Sequence, residues 1–193
     1  LIPPPPQPGE NVALRLDVVA DLDLDSPEAI AAGTQLLSGE CAFGRVDEDG
    51  RPRHGGPSHY LFDLSDELAY EAFVDVDGKS TFLEIRHGAG HYTVLPPSRI
   101  PRKDAAIVDA LAWASAAPPR RPTGAEIRRV ARVVATIALV VRHWPGGQRH
   151  NGLLALAGFL AREPTMTADT VIAALTEITR QAEGAPWSEC ATT

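Results

Sequence analysis

Apolar and polar residues alternate along roughly the first half of this chain and settle into a longer period afterwards. The alternation is sharpest at VVADLDLD, residues 18–25, where Leu22 and Leu24 interleave with Asp21, Asp23 and Asp25. A period of two sets the leucines on one face of a strand and the aspartates on the other. Ser26, Pro27 and Glu28 then supply an N-cap, a first-turn proline and an early acid, which predicts a helix over 26–37, ended by Ser38 and Gly39. Further strands are predicted over 11–16, 41–45, 58–64, 69–76, 80–86 and 91–98. Asp77, Gly78 and Lys79 read as a hairpin turn, and the glycine-rich stretch 46–57 as a polar loop.

From Lys103 onward the period is helical. One helix is predicted over 104–116, stopped by Pro118 and Pro119, and a long one starts at the capping box of Thr123 and Glu126. A break at 145–147 precedes two amphipathic helices, over 151–163 and 167–184. Strands followed by helices predict an α+β protein. Its sheet core spans 11–102 and its helical subdomain 103–184, between a proline-rich lead-in (1–10) and a tail (185–193).

A chain of 193 residues, 44% hydrophobic and 22% charged, has the composition of an ordinary globular domain. Its net charge of −7 argues against nucleic acid until the distribution is considered. Between Arg99 and His150 ten Lys and Arg face three acids, while the flanking segments are acidic. That asymmetry suits a protein that holds metal in one place and phosphates in another. Cys41 and Cys190 lack the spacing of a zinc site, and the reducing cytoplasm is the expected compartment. The longest apolar run, 133–141, is too short to span a bilayer, so no membrane partner is expected. The first residue is Leu1 rather than Met, as in a fragment or a processed chain.

Three places could carry chemistry. The aspartate strand is one, His59 at the head of SHYLF is another, and Glu84 between Leu83 and Ile85 is the third. Two aspartates and a glutamate on neighbouring strands could hold two divalent ions roughly 3.5–4 Å apart, the arrangement that clamps both oxygens in phosphoryl transfer. The competing reading of the acids is an edge strand with a solvated, aggregation-resistant face. Arg45 and Arg86 could either neutralise this acidic centre or grip phosphate. Arg128, Arg129 and Arg132 read as a solvated helix face or as contacts to a nucleic-acid backbone.

DLDLDSPEA, then CAFGR, GGPSHYLF and FLEIRHGAGHYTVLPPS, in that order, resemble the archaeo-eukaryotic primase superfamily. More narrowly, they are similar to the primase-polymerase domains of phages, plasmids and other mobile elements. WPGGQRHNGLLALAGFLARE resembles the helical segment that follows the catalytic core there, so the likeness covers about 11–184. It implies an RRM-like mixed or antiparallel sheet followed by a small helical bundle. It also implies a DNA primase or polymerase that uses Mg²⁺ or Mn²⁺ on a single-stranded DNA template with dNTP or NTP, alongside a helicase domain or other replication partner. Asp23 and Asp25 fall on the family's acidic pair and Glu84 on its third acid, with Asp21 in register as an alternative first member. His59 falls on the histidine that binds the incoming triphosphate, with Ser58 beside it, and Ile100 stands where relatives often carry a further histidine. A metal-dependent nuclease on the same acids, or an inactive primase fold that binds nucleic acid, are the alternatives.

Overall fold

The structure, a computed structural model, describes residues 10–64, 66–101, 108–144, 149–162 and 167–184. Lead-in residues 1–9, the break at 145–148 and the tail 185–193 lie outside the described residues. The chain is α+β. Strands β1 (Val12–Arg15) and β2 (Val19–Leu24) precede helix α1 (Pro27–Leu36). Strands β3 (Cys41–Val46), β4 (His59–Asp63), β5 (Glu71–Val74), β6 (Thr81–Arg86), β7 (Tyr92–Leu95), β8 (Arg99–Pro101) and β9 (Val108–Ser115) come next. Helices α2 (Gly124–Arg142), α3 (Arg149–Leu160) and α4 (Ala168–Gly184) complete the described chain.

Seven strands form one sheet in the order β5-β6-β2-β4-β3-β9-β8, and every neighbouring pair is antiparallel. β2 leads through α1 to β3, and β4 slots between the two, a split β-α-β arrangement. The aspartate strand is therefore internal, flanked by β4 and β6, and Asp21 is completely buried. That removes the edge-strand reading of the acids.

Period-two patterning explains the layers. Leu22, Leu24, Tyr60, Leu83 and Ile85 turn to one face and share a core with α1, α2 and α4. Each such fully buried side chain contributes roughly 1.5–3 kcal/mol. Helix α2 supplies Ile127, Ala131, Val134, Ile137 and Ala138 to that core, a stripe at helical spacing. Its start is fixed by the Thr123–Glu126 capping box, as predicted. At its C-terminal end Arg142 reaches Glu28 at 2.7 Å and Asp75 at 3.1 Å, tying α2 to the start of α1. The helices thus share the sheet's own core. On the opposite sheet face Cys41, Phe43, Leu61 and Leu111 are covered by Leu14, Val94 and Leu95 of a two-stranded β1-β7 ribbon.

One predicted element is corrected. The segment read as a helix over 104–116 forms β9 in its described part, paired with β3 on one side and β8 on the other. Its alanines suit a helix locally, but burial at Asp109 and Leu111 follows a period of two. Without β9, β3 would expose its backbone edge, and pairing outweighs the weak local propensity. The sheet accordingly runs past residue 102, and the helical part begins at Gly124. Among the described residues no helix is long and apolar enough to cross a membrane.

Candidate functional site

Register brings the predicted residues together. Asp23 on β2 lies directly across from Glu84 on β6 and from His59 on β4, and His59 lies across from Phe43 on β3. Cross-strand partners share a face. Glu84, Asp23, His59 and Phe43 therefore form one row across four strands, on the face that carries the β1-β7 ribbon. One step along, Arg86 lies across from Asp21. Asp25 follows the end of β2 at the mouth of the site, its backbone N–H donating to the Phe82 carbonyl at 2.9 Å.

The tightest group is Asp21, Asp23 and His59, whose ligand-capable atoms all lie within 4.8 Å of one another. His59 Nδ1 stands 3.2 Å from Asp21 Oδ2 and 3.3 Å from Asp23 Oδ1. The imidazole is held flat against Phe43, with ring centroids 4.6 Å apart and planes 7° from parallel. Asp21, Asp23 and His59 could hold a metal ion. Arg86 is the built-in competitor: its Nη1 sits 2.6 Å from Asp23 Oδ2 and 3.7 Å from Asp21 Oδ2. Its other arm donates to the Tyr92 carbonyl on β7, so the ribbon fixes it too. Glu84 accepts a hydrogen bond from Tyr70 Oη at 2.8 Å.

The electrostatics show a surplus of negative charge. Burial, and then the charge of Asp21, raise the Asp23 carboxyl above its ordinary range against the pull of His59 and Arg86. The Asp25 carboxyl is pushed up to about 7 by desolvation and then by its neighbours Asp23 and Glu84. Burial opposes the charged form of His59, but the charge and hydrogen bond of Asp21, with Asp23, overcome it and raise its pKa. The unpaired part of this negative charge is what a cation would relieve.

A cleft of about 380 Å³ opens over the Asp23–His59 part of the row, lined among others by Asp23, Asp25, Arg45, Ser58, His59 and Arg86, with Glu84 outside its lining. Arg45 is not part of the acidic centre. It faces Asp109 of β9 at 3.5 Å, an acid that Arg53 also holds at 2.9 Å, and it looks into the cleft from the opposite wall. Of the predicted residues, Asp23, Asp25, Glu84, His59 and Arg86 converge electrostatically, and Ser58 and Arg45 border them. Asp25 and Glu84 stand outside the tightest ligand group, and Asp21 stands inside it. The alternation of residues 18–25 already carried that signal for Asp21. No sequence signal marked Tyr70, the stacking of Phe43 on His59, or His54 as a lining residue.

Three outcomes follow. The folded-state pKa of Asp25, raised from 3.8 to about 7, means that folding loses stability as pH rises through that window and recovers none above it. Asp25→Asn should therefore raise the melting temperature at pH 8 and leave it nearly unchanged at pH 4, read by scanning calorimetry. If a divalent cation added as Mn²⁺ at pH 6.5 is taken up beside Asp23, the neutralised field should release protons from the Asp25 carboxyl, visible as a dependence of calorimetric heats on the buffer's ionisation enthalpy. Gly44→Ala tests the wall behind His59. A Cβ there would meet the Ser58 amide nitrogen at 3.0 Å and the Pro57 Cα at 3.2 Å, both main-chain atoms. Since the Ser58 amide donates to the Phe43 carbonyl, this crowding should displace the lead-in to His59 and cost about 1–3 kcal/mol in urea unfolding.

No family model, no curated protein and no solved structure matches this chain. The reading of the site therefore rests on its own residues.

Proposed function

We propose that the chain is a primase-polymerase that adds nucleotides to a primer on a single-stranded DNA template in the replication of a mobile element. The observation that carries this reading is the cross-strand pair Asp23–His59, which opens with Asp25, Arg45, Ser58 and Arg86 into a single cleft, while Glu84 is registered beside Asp23 on β6. Acids and phosphate-seeking cations facing one cavity suit a substrate that is itself a polyanion bound with a divalent cation.

The donor set fits Mg²⁺ or Mn²⁺, because carboxylate oxygens are the ligands of hard cations and the crowding that raises Asp25 marks unneutralised charge. Asp23 would hold the cation with Asp21 beside it in the same ligand group, and Asp25 and Glu84, outside that group, would add negative charge around it. When bound, it would neutralise the charge that develops on the attacking and leaving oxygens. The remaining work belongs to the chain. Asp21 and Asp23 favour the protonated form of His59, which would present its other ring nitrogen as a donor to a phosphate oxygen. Arg45 and Arg86 supply charge-assisted donors from two walls, and Arg86 can exchange Asp23 for phosphate. Phe43 keeps the imidazole from rotating away.

The test is extension of a labelled primer on single-stranded template with Mn²⁺, run with dNTP and with NTP, alongside reactions lacking primer. Template-dependent lengthening is the expected result. A second reading has a specific observation behind it: the 2.6 Å pair of Arg86 with Asp23 is what an inactive, nucleic-acid-binding primase fold would need to silence its acids. Template binding with no product would favour that reading, and shortening of the template would favour a nuclease.

A further inference from the structure

Among the described residues, buried side-chain polar atoms without a hydrogen-bond partner occur on Tyr60, His87, Thr93 and Trp144. Thr93 alone among them lines the cleft over Asp23. We propose that Thr93 reads the sugar of the nucleotide bound there, its hydroxyl pairing with a ribose or deoxyribose hydroxyl. The inference rests on the nucleotide-binding reading of this cleft and adds the residue that tells one sugar from another.

Thr93 sits on β7 opposite Leu14 of β1, in the ribbon that covers this face of the sheet. Alternation along β7 leaves Tyr92 58% exposed and turns Thr93 inward, to 2%. The Tyr92 carbonyl accepts from Arg86, which also holds Asp23, so this part of β7 is fastened to the acid row. An unpaired hydroxyl in such a place destabilises the folded protein, and buried polar groups are rarely left so. Valine has the same shape and would pack there without that penalty. A hydroxyl kept on the wall of a cleft against its own stability is one for a ligand to pair. Rotation about χ1 alone exchanges its position with that of the methyl, so presenting it requires no movement of the strand.

The other lining residues leave the sugar to Thr93. Arg45, His59 and Arg86 are cationic donors, and phosphate goes to them ahead of a neutral hydroxyl. Ile30, Val94 and Ile100 offer apolar contact, which suits a flat base. A copying enzyme must accept every base, so a fixed polar contact to one base edge would work against it. The sugar is common to all nucleotides, carries neutral hydroxyls and lies between phosphates and base. A threonine hydroxyl both donates and accepts, so it can pair with such a group in either sense. A site built around that bond rejects an analogue lacking it, because its own hydroxyl then stays unpaired.

Isothermal titration of the full chain with ATP, dATP and dideoxy-ATP, each with Mn²⁺, reads the proposal. The dideoxy form should bind at least about tenfold more weakly than ATP, the worth of one hydrogen bond. A loss already complete in dATP assigns the contact to the 2′-hydroxyl, and a loss seen only in the dideoxy form assigns it to the 3′-hydroxyl. Thr93→Val should bring all the nucleotides within about twofold of one another, and Thr93→Ser should keep the difference. Tripolyphosphate should bind the wild type and both variants alike. Since the hydroxyl has no partner in the free protein, Thr93→Val should also raise the melting temperature, by about 2–4 °C. The proposal is overturned if the wild type binds the nucleotides alike or binds none of them, if Thr93→Val keeps the discrimination, or if that variant melts below the wild type. Equal binding of the nucleotides by a wild type that extends primers would overturn this inference alone. Sugar discrimination without template-dependent extension would overturn the polymerase reading and leave Thr93 as assigned.

Discussion

Asp23→Asn should abolish nucleotide transfer, by about a thousandfold or more, while leaving the fold intact. Asp23 sits at the centre of the acid row. Glu84 and His59 are its cross-strand partners, Arg86 binds its carboxylate, and its charge raises Asp25. A thousandfold loss corresponds to about 4 kcal/mol of transition-state stabilisation, within the reach of one carboxylate that, on the proposed function, would help hold a cation opposite the reacting phosphate. Stability should move the other way or not at all. Burial and Asp21 hold the Asp23 carboxyl above its usual range, so its charge costs the folded state something at neutral pH. Asparagine keeps an acceptor for Arg86 and removes that cost. Primer extension and thermal melting of the same preparation check both halves. Full activity with unchanged melting would show that the chemistry lies elsewhere.

His59→Ala should separate the two roles open to this residue. Its Nδ1 faces Asp21 and Asp23, and their charge keeps the ring protonated to higher pH than usual. A protonated imidazole is an anion donor and cannot at the same time ligate a cation. Nucleotide affinity should therefore fall about tenfold to a hundredfold in the variant, one to two decades' worth of a charged contact, with Mn²⁺ affinity nearly unchanged. Isothermal titration of each ligand against both proteins gives the comparison. The pH dependence has a definite sign. The positive charge, and the stabilisation from its pair with Asp21, are fully present below about pH 6.5 and are lost as pH rises through the raised folded-state value. Wild-type nucleotide affinity should decline over that upper range, and the variant's should not. The reverse pattern, Mn²⁺ affinity lost and nucleotide affinity kept, would put His59 in the metal shell and favour hydrolytic chemistry on the same acids.

Much of this was legible along the chain, because local rules act over a few residues. The alternation at 18–25 gave a strand with its acids on one face, and Ser26 followed by Pro27 gave the start of α1, where Ser26 Oγ accepts the Ala29 amide at 3.2 Å. Thr123 and Glu126 gave the start of α2 in the same way. Glu84 stood out because it lies between apolar Leu83 and Ile85, both of which are buried. Residues 104–116 misled for an equally local reason. Alanines carry little strand or helix preference that tertiary pairing cannot override, and the partner that claimed β9 was β3, more than sixty residues earlier.

What the sequence determined by itself, then, is most of the elements, β8 and β9 excepted, and the facing of side chains within them, since period and capping are properties of a few consecutive residues. Tertiary structure alone decided which strands are neighbours, and with that the site. Inserting β4 between β2 and β3 made the aspartate strand internal and buried Asp21. Registering β6 on β2 set Glu84 opposite Asp23 and gave Arg86 to the acids, while β9 supplied Asp109 and drew Arg45 to the far wall. Those pairings join residues up to 73 positions apart, Ala42 and Ser115 being the widest pair. They are set by how whole faces fit into one core, and no window along the chain contains that information.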